Sequence, residues 1–208
     1  TEGSLENNIS FTDKIKDPYD AVIATGSDNT SRYFNYYFGH KPHIFRKNRN
    51  SVAIINNKTS EKDIAALGED IFAYFGLGCR NVSKLYIEEG VDPRSLADQW
   101  SRWACMINHS PYANNYLYNK SLYNINRKPY IDMGFCLLEH SPALSSPVSV
   151  IYYDYYRDDK TLNRELSSRE ASIQCIVDEK NTPYGDTQHP GPEEYADNTD
   201  TVDFLNSL

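Results

Sequence analysis

Short apolar runs alternate with helix-period segments along almost the whole chain, and that alternation leaves few folds open. The run Asp20-Ala21-Val22-Ile23-Ala24-Thr25 is continuous rather than alternating, as in a strand buried on both faces of a parallel sheet. The turn Gly26-Ser27-Asp28-Asn29 is rich in helix N-caps, and residues 31–38 read as a helix stopped at Gly39. Strand material recurs at 42–46, 51–55, 82–87, 133–138, 148–153 and 172–177. Ile64, Leu67, Ile71, Phe72 and Phe75 share one helical face, behind a capping box in Ser60-Glu61-Lys62-Asp63 that has Asp for the usual Glu. That helix must end near Gly76. Helices are also expected over 92–108, 114–126 and 161–168, with a short one near 11–16. Strands alternating with helices predict an α/β domain with a mostly parallel sheet flanked by helices.

The 208 residues suffice for one substantial domain, or a domain with part of another. A hydrophobic content of 39% against 24% charged residues calls for a packed core, not disorder. The net charge of -8 excludes nucleic acid as the main partner, because no basic surplus exists to replace counterions. The dense basic run Arg46-Lys47-Asn48-Arg49 is local. No apolar stretch reaches the roughly 18 residues of a membrane span. The start of the chain lacks the apolar core of an export signal, so a cytoplasmic location is expected. There the widely spaced Cys79, Cys105, Cys136 and Cys175 are expected as free thiols. The histidines show no zinc-type spacing, and no metal is expected. The chain opens on Thr1 rather than Met, as expected of a processed protein or a piece of a longer one.

Cys79 stands out among the four cysteines. It follows an apolar helix, sits behind Gly76 and Gly78, and precedes the strand-like run 82–87. A thiol delivered by a glycine-hinged turn is placed to attack a carbonyl. An ordinary thiol is only a few per cent ionised at neutral pH, so the nucleophile needs help. Arg80 is the nearest cation in sequence, and backbone N–H groups of the turn are a second source. The Cys79 N–H and an Asn side chain are candidate donors to a tetrahedral oxyanion. Gly78 lets the backbone approach a substrate without a Cβ. Cys105, Cys136 and Cys175 lie in apolar contexts and are expected in the core, while His140 titrates in a range suited to acid–base work.

Two local signatures fall in order. Ala24-Thr25-Gly26-Ser27 resembles the F-T-G-S segment of aldehyde dehydrogenases, and Gly76-Leu77-Gly78-Cys79 resembles their G-Q-x-C nucleophile segment. Leu138-Glu139-His140, the run 148–153 and Leu162-Asn163 are similar to the later E-x-F…P…V…A-N portion. The wording of Ile23-Ala24-Thr25-Gly26-Ser27-Asp28-Asn29-Thr30, of Arg46-Lys47-Asn48-Arg49-Asn50-Ser51-Val52-Ala53 and of Phe75-Gly76-Leu77-Gly78-Cys79-Arg80-Asn81-Val82-Ser83-Lys84 resembles the LuxC-like acyl-CoA reductases. Tyr195-Ala196-Asp197 fits the same branch, so the resemblance runs over residues 18–205.

The resemblance implies NADPH-dependent reduction of a fatty acyl thioester to an aldehyde through an acyl-Cys79 intermediate. It implies Gly26, Ser27 and Glu139 as neighbours of the dinucleotide. Members of that family carry most of a Rossmann-type cofactor domain ahead of the catalytic domain. The implied layout is a flexible lead at 1–18, the last βα unit of the cofactor domain at 19–41, a catalytic domain at 42–180 and a tail at 181–208 that could join a second copy. An acyl-CoA or acyl-protein thioester would be the substrate, with an acyl-transferring protein as a further partner. Two departures stand out. Ile44-Phe45-Arg46-Lys47 holds no acid where oxidising members carry the water-activating Glu, which suits a reductase. Ser31 stands where the dinucleotide pattern has its second Gly. The alternatives are a CoA-acylating aldehyde dehydrogenase and a non-catalytic interaction domain that keeps the fold.

Overall fold

The structure, a computed structural model, describes residues 9–15 and 18–208. The polar lead expected over 1–18 therefore lies partly outside the described residues. The described residues 11–15 form no helix, contrary to the expectation near 11–16. The chain divides into two compact units, one of Thr1–Lys47 with Thr199–Leu208 and one of Asn48–Asn198.

In the first unit, strand β1 (Val22–Thr25) pairs in parallel with β2 (His43–Arg46), and helix α1 (Asp28–Phe38) connects them. Ser27 caps α1 by accepting from the Thr30 N–H at 3.2 Å. Gly39 ends it in right-handed conformation, and a Cβ there would lie 2.4 Å from the Asn35 carbonyl. Arg46 donates to the Thr201 hydroxyl at 2.8 Å, tying the short helix α6 (Thr201–Asn206) to this unit. Residues 42–46 thus fold with β1, while 181–198 fold with the second unit.

The second unit holds a six-stranded sheet. In chain order its strands are β3 (Asn50–Ile55), β4 (Val82–Glu88), β5 (Ile131–Asp132), β6 (Leu137–His140), β7 (Val150–Tyr156) and β8 (Ile173–Val177). They lie side by side as β5-β6-β7-β4-β3-β8, all parallel except the β5–β6 pair. Helix α2 (Glu61–Phe72), the short α3 (Leu96–Gln99) and α4 (Ser110–Ile125) follow β3 and β4, and α5 (Asp159–Ser168) follows β7. The apolar runs of this unit are explained by burial on both faces; β1 of the first unit is not so buried, contrary to the expectation, with Ile23 45% exposed on a two-stranded sheet. Leu85 and Ile87 of β4 join Leu67, Ile71 and Phe72 of α2 in the larger core. Tyr86 faces the other way, onto Leu162 and Leu166 of α5. Each such fully buried aliphatic side chain contributes about 1.5–3 kcal/mol.

Two expected elements are broken. The helix expected over 92–108 becomes a 3-10 turn at Pro93–Ser95, α3, and a 3-10 stretch at Ser101–Asn108. The tighter winding brings Trp100 and Trp103, three apart, onto one face against α2. There the Trp100 Nε1–H donates to the Ile64 carbonyl at 2.6 Å, and Trp103 lies over Gly68. The strand expected at 133–138 is split by a turn at Gly134, whose φ of +85° favours glycine. Gly68 makes the first arrangement possible, because a Cβ there would sit 2.6 Å from Trp103 Nε1. Gly68→Ala is therefore expected to lose about 1–3 kcal/mol in urea unfolding despite the better helix propensity of alanine.

Candidate active site

Helix α2 stops at Phe72, and the chain turns through Tyr74, Phe75 and Gly76, all left-handed with φ of 53°, 61° and 71°. Left-handed conformation costs about 1–2 kcal/mol at each residue with a Cβ. Glycine relieves only the third. The turn delivers Gly78 and Cys79 to the edge of β4, and Cys79 is exposed and in no disulfide.

Asn81 holds this turn. It is 3% exposed, and its Nδ2 donates to the carbonyls of Asp70, Ile71 and Ala73 at 3.1, 3.4 and 2.9 Å. These are among the carbonyls that the end of a helix leaves without partners. Its Oδ1 accepts from the Gly78 N–H at 2.8 Å, and a Cβ on residue 78 would lie 2.9 Å from that oxygen. Glycine at 78 therefore serves a close side-chain approach from within the protein. Fully buried Ser51 donates to the Cys79 carbonyl at 3.0 Å. The pairing of β3 shifts next to Ser51 on both of its neighbours. Such irregularities re-aim a side chain. Among the described residues, no protein acceptor takes the Cys79 N–H.

Arg80 does not serve the nucleophile as its position in sequence suggested. Its guanidinium donates to the Thr187 and Glu194 carbonyls at 3.3 and 3.2 Å, contacts Cys175 Sγ at 3.5 Å and pairs with the Glu194 carboxylate at 3.8 Å. Asp70, buried on α2, accepts from the Gly185 and Thr187 N–H groups at 2.6 and 2.9 Å. Burial pushes the Asp70 carboxyl above its usual range despite these donors. Asp70 and Arg80 together bind residues 185–194 behind the Cys79 turn. Asn81, Ser51 and Asp70 were not singled out in the sequence. Their signal is polarity in an apolar setting: Ser51 opens a buried strand, and Asp70 adjoins the apolar face of α2.

The other cysteines divide. Cys136 and Cys175 are buried, and burial pushes both thiols up. Cys105 is exposed, contrary to the expectation of a core position. His140 Nε2 lies 3.0 Å from Asp154 Oδ1. Among the described residues, no group of His, Cys, Asp and Glu is disposed to hold a metal, and no helix is long and apolar enough to cross a membrane.

Glu139 is 1% exposed, in β6. Its Oε1 pairs with Lys128 Nζ, and its Oε2 has no hydrogen-bond partner. The register places Glu139 beside Tyr152, which lies beside Lys84, so Glu139 stands two strands from β4 and five residues further along than Cys79. The two share the second unit without touching. Gly26 and Ser27 lie in the first unit, at the N-terminus of α1. A Cβ at Gly26 would press on Thr30 and the Phe34 ring at 3.0 Å. Ser31 is buried in α1 with its hydroxyl unpartnered.

A mostly parallel α/β sheet flanked by helices defines a class of fold, and known structures share that fold. Staphylococcus aureus AldH in a substrate-bound state superposes with a TM-score of 0.53 at 16% identity, over 76% of this chain and 41% of that one. The NAD+ complex of an aldehyde dehydrogenase from Bacillus cereus gives 0.53 at 11% identity, over 76% and 39%. A gamma-glutamyl-gamma-aminobutyraldehyde dehydrogenase from Burkholderia cenocepacia gives 0.53 at 10% identity, over the same 76% and 39%. The fold is thus that of part of an aldehyde dehydrogenase, and the chain spans about two fifths of the solved structures it matches. No protein-family model matches the sequence, and no curated protein matches it.

Proposed function

We propose that this chain is the C-terminal catalytic portion of an acyl-thioester reductase of the aldehyde dehydrogenase superfamily, LuxC-like, working in the cytoplasm with NADPH. The observation that carries the reading is the exposed Cys79 thiol, held on a strained turn that Asn81 and Ser51 fix in place. Strain kept at one position by surrounding hydrogen bonds is characteristic of functional sites.

In the proposed reaction the Cys79 thiolate adds to the carbonyl carbon of an acyl-CoA. The free Cys79 N–H donates to the developing oxyanion. The C–S bond to CoA breaks and the CoA thiolate leaves, so one thioester replaces another. Such an exchange is nearly thermoneutral, and the protein mainly supplies position. Gly26 and Ser27 open α1, whose N-terminus suits a phosphate of a nicotinamide dinucleotide. Glu139, which the family resemblance gives to the nicotinamide ribose, is 1% exposed with its Oε1 paired to Lys128, so its carboxylate is closed to a ribose in this structure. When bound, the dinucleotide supplies the hydride that reduces the acyl carbon to the aldehyde level and frees the Cys79 thiolate. Ile44-Phe45-Arg46-Lys47 offers no carboxylate to activate water, which favours aldehyde over acid as the product. The two parallel strands and helix α1 of the first unit fit the closing βα piece of the cofactor domain. An acyl-transferring protein is a natural source of the thioester, and the tail from 181 could join a second copy.

The test is incubation with radiolabelled acetyl-CoA and dodecanoyl-CoA. A covalent adduct is expected on the peptide bearing Cys79, absent from Cys79→Ala. With the longer protein that supplies the rest of the cofactor site, NADPH is expected to release aldehyde. An unlabelled Cys79 in both proteins would sink the reading.

A further inference from the structure

Cys175 is a buried thiol that acyl transfer leaves without a role, yet several contacts tie it to the Cys79 turn. It is 6% exposed on β8, beside β3 in the sheet. Its Sγ lies 3.5 Å from Nη1 of Arg80, the residue that follows Cys79 in the chain. Ser51 joins the two cysteines. Its hydroxyl donates to the Cys79 carbonyl at 3.0 Å and also hydrogen-bonds the Cys175 thiol. Burial pushes the Cys175 thiol up and Ser51 and Arg80 act against it, while Glu194 and Cys79 are near enough to push it up further. Cys175 and Arg80 also line an open cleft of about 760 Å³ at the β8 edge of the sheet, which gives a small reductant a way in. The other two thiols are placed differently. Cys136 is 1% exposed in the larger core and bonds to Tyr112, and Cys105 Sγ turns to the Arg102 carbonyl.

We infer that Cys79 and Cys175 form a reversible disulfide when a hydroperoxide oxidises Cys79, with Cys175 as the resolving thiol. The inference needs only a reactive thiol at Cys79 and stands apart from the acyl-transfer reading. The Cys79 thiolate attacks one oxygen of the hydroperoxide. The O–O bond breaks, the other oxygen leaves as an alcohol or water, and Cys79 carries S–OH. Cys175 then gives up its proton and attacks the Cys79 sulfur. The S–O bond breaks, and the departing hydroxide takes the proton and leaves as water. Two electrons have passed from the two thiols to the peroxide, and a dithiol returns them. Arg80 is placed to hold the Cys175 thiolate as it forms, since its guanidinium already contacts Sγ. A disulfide needs the two Cα atoms within about 7 Å of each other. The closing movement falls on Gly78, next to Cys79, where no Cβ restricts the backbone. The disulfide takes Cys79 out of use and shields it from irreversible oxidation.

The test is excess hydrogen peroxide, followed by alkylation of the remaining thiols and non-reducing peptide mass spectrometry. A linked pair of peptides bearing Cys79 and Cys175 is expected from the native chain, and dithiothreitol is expected to release both. In Cys175→Ser protein, Cys79 is expected to pass on to sulfinic acid, so that free Cys79 recovered with dithiothreitol falls about tenfold. Cys105→Ser protein should form the same link as the native chain. Three outcomes on the native chain overturn the inference, however the variants fold: Cys79 left as a free thiol, Cys79 carried to sulfinic acid without a link, or Cys79 linked to Cys105 instead. The expected link in a protein whose Cys79 no thioester acylates would keep the inference and reject the acyl-transfer reading.

Discussion

Asn81→Ala is expected to lower the unfolding free energy by about 3–5 kcal/mol and the rate of Cys79 acylation about a hundredfold. Four hydrogen bonds converge on this amide, three donated to carbonyls at the end of α2 and one accepted from the Gly78 N–H. Truncation leaves the Asp70, Ile71 and Ala73 carbonyls and the Gly78 N–H without it. Each buried group left unpaired costs about 1–3 kcal/mol, and the collapse of the small cavity recovers part of the sum. The rate effect has a separate origin. Tyr74 and Phe75 remain left-handed only while both ends of the turn are held. Released, the turn relaxes toward right-handed backbone and carries Cys79 away from its place. Asn81→Asp separates the two roles of the amide. It keeps the acceptor for Gly78 but sets a negative charge against the carbonyl end of α2, where the helix dipole disfavours it. It is expected to be no more stable than Asn81→Ala. Urea unfolding and the initial rate of acylation, measured on all three proteins, check both statements. A loss below about 1 kcal/mol for Asn81→Ala would show that water satisfies these carbonyls instead.

The fold was legible where one local rule decided it. Parallel strands buried on both faces read as nearly continuous apolar runs, and the runs at 51–55 and 82–87, the second interrupted by Ser83 and Lys84, became neighbouring strands. The α2 helix was legible in its apolar face, and its Ser60 cap forms, with the hydroxyl donating to Asp63 Oδ2 at 2.6 Å and accepting from the Asp63 N–H at 3.2 Å. The broken helix at 92–108 was not legible. Its winding is set by packing of Trp100 and Trp103 on Gly68, some thirty residues earlier. At the candidate site, Gly76 and Gly78 announced a turn before Cys79. They did not announce that Tyr74 and Phe75 would share the left-handed backbone, because aromatic side chains oppose it. The backbone partners of Arg80 and Asp70 lie more than one hundred residues away, and pattern at the level of a single helix cannot reach them.

Raising the pH from 8 to 10 is expected to stabilise the native chain relative to Lys84→Met by on the order of 2 kcal/mol. Lys84 lies on β4 with a side chain 0% exposed. Its ammonium donates to the Ser141 carbonyl, lies 3.8 Å from Asp154 Oδ2 and sits 5.3 Å over the Tyr86 ring. Burial pulls its pKa from 10.5 to about 8, against the attraction of Asp154 and Glu165. The unfolded chain keeps this proton up to its ordinary pKa, while the folded chain gives it up near 8. Between those values the unfolded state binds more protons, so stability rises with pH; below 8 both states are charged and the contribution is flat. Burial pushes the Tyr86 hydroxyl up, and unfolded tyrosines ionise above about pH 10 with the opposite sign, so only the difference between the two proteins is informative. At pH 7 Lys84→Met should lie within about 1 kcal/mol of the native chain, since the desolvated charge disappears while Asp154 keeps His140. Lys84→Ala should lose about 3 kcal/mol, because a side chain is removed from a fully packed site. Urea unfolding at pH 7, 8, 9 and 10 measures the difference. A constant value would mean that the buried amine stays charged throughout, with Asp154 and the Ser141 carbonyl outweighing its desolvation.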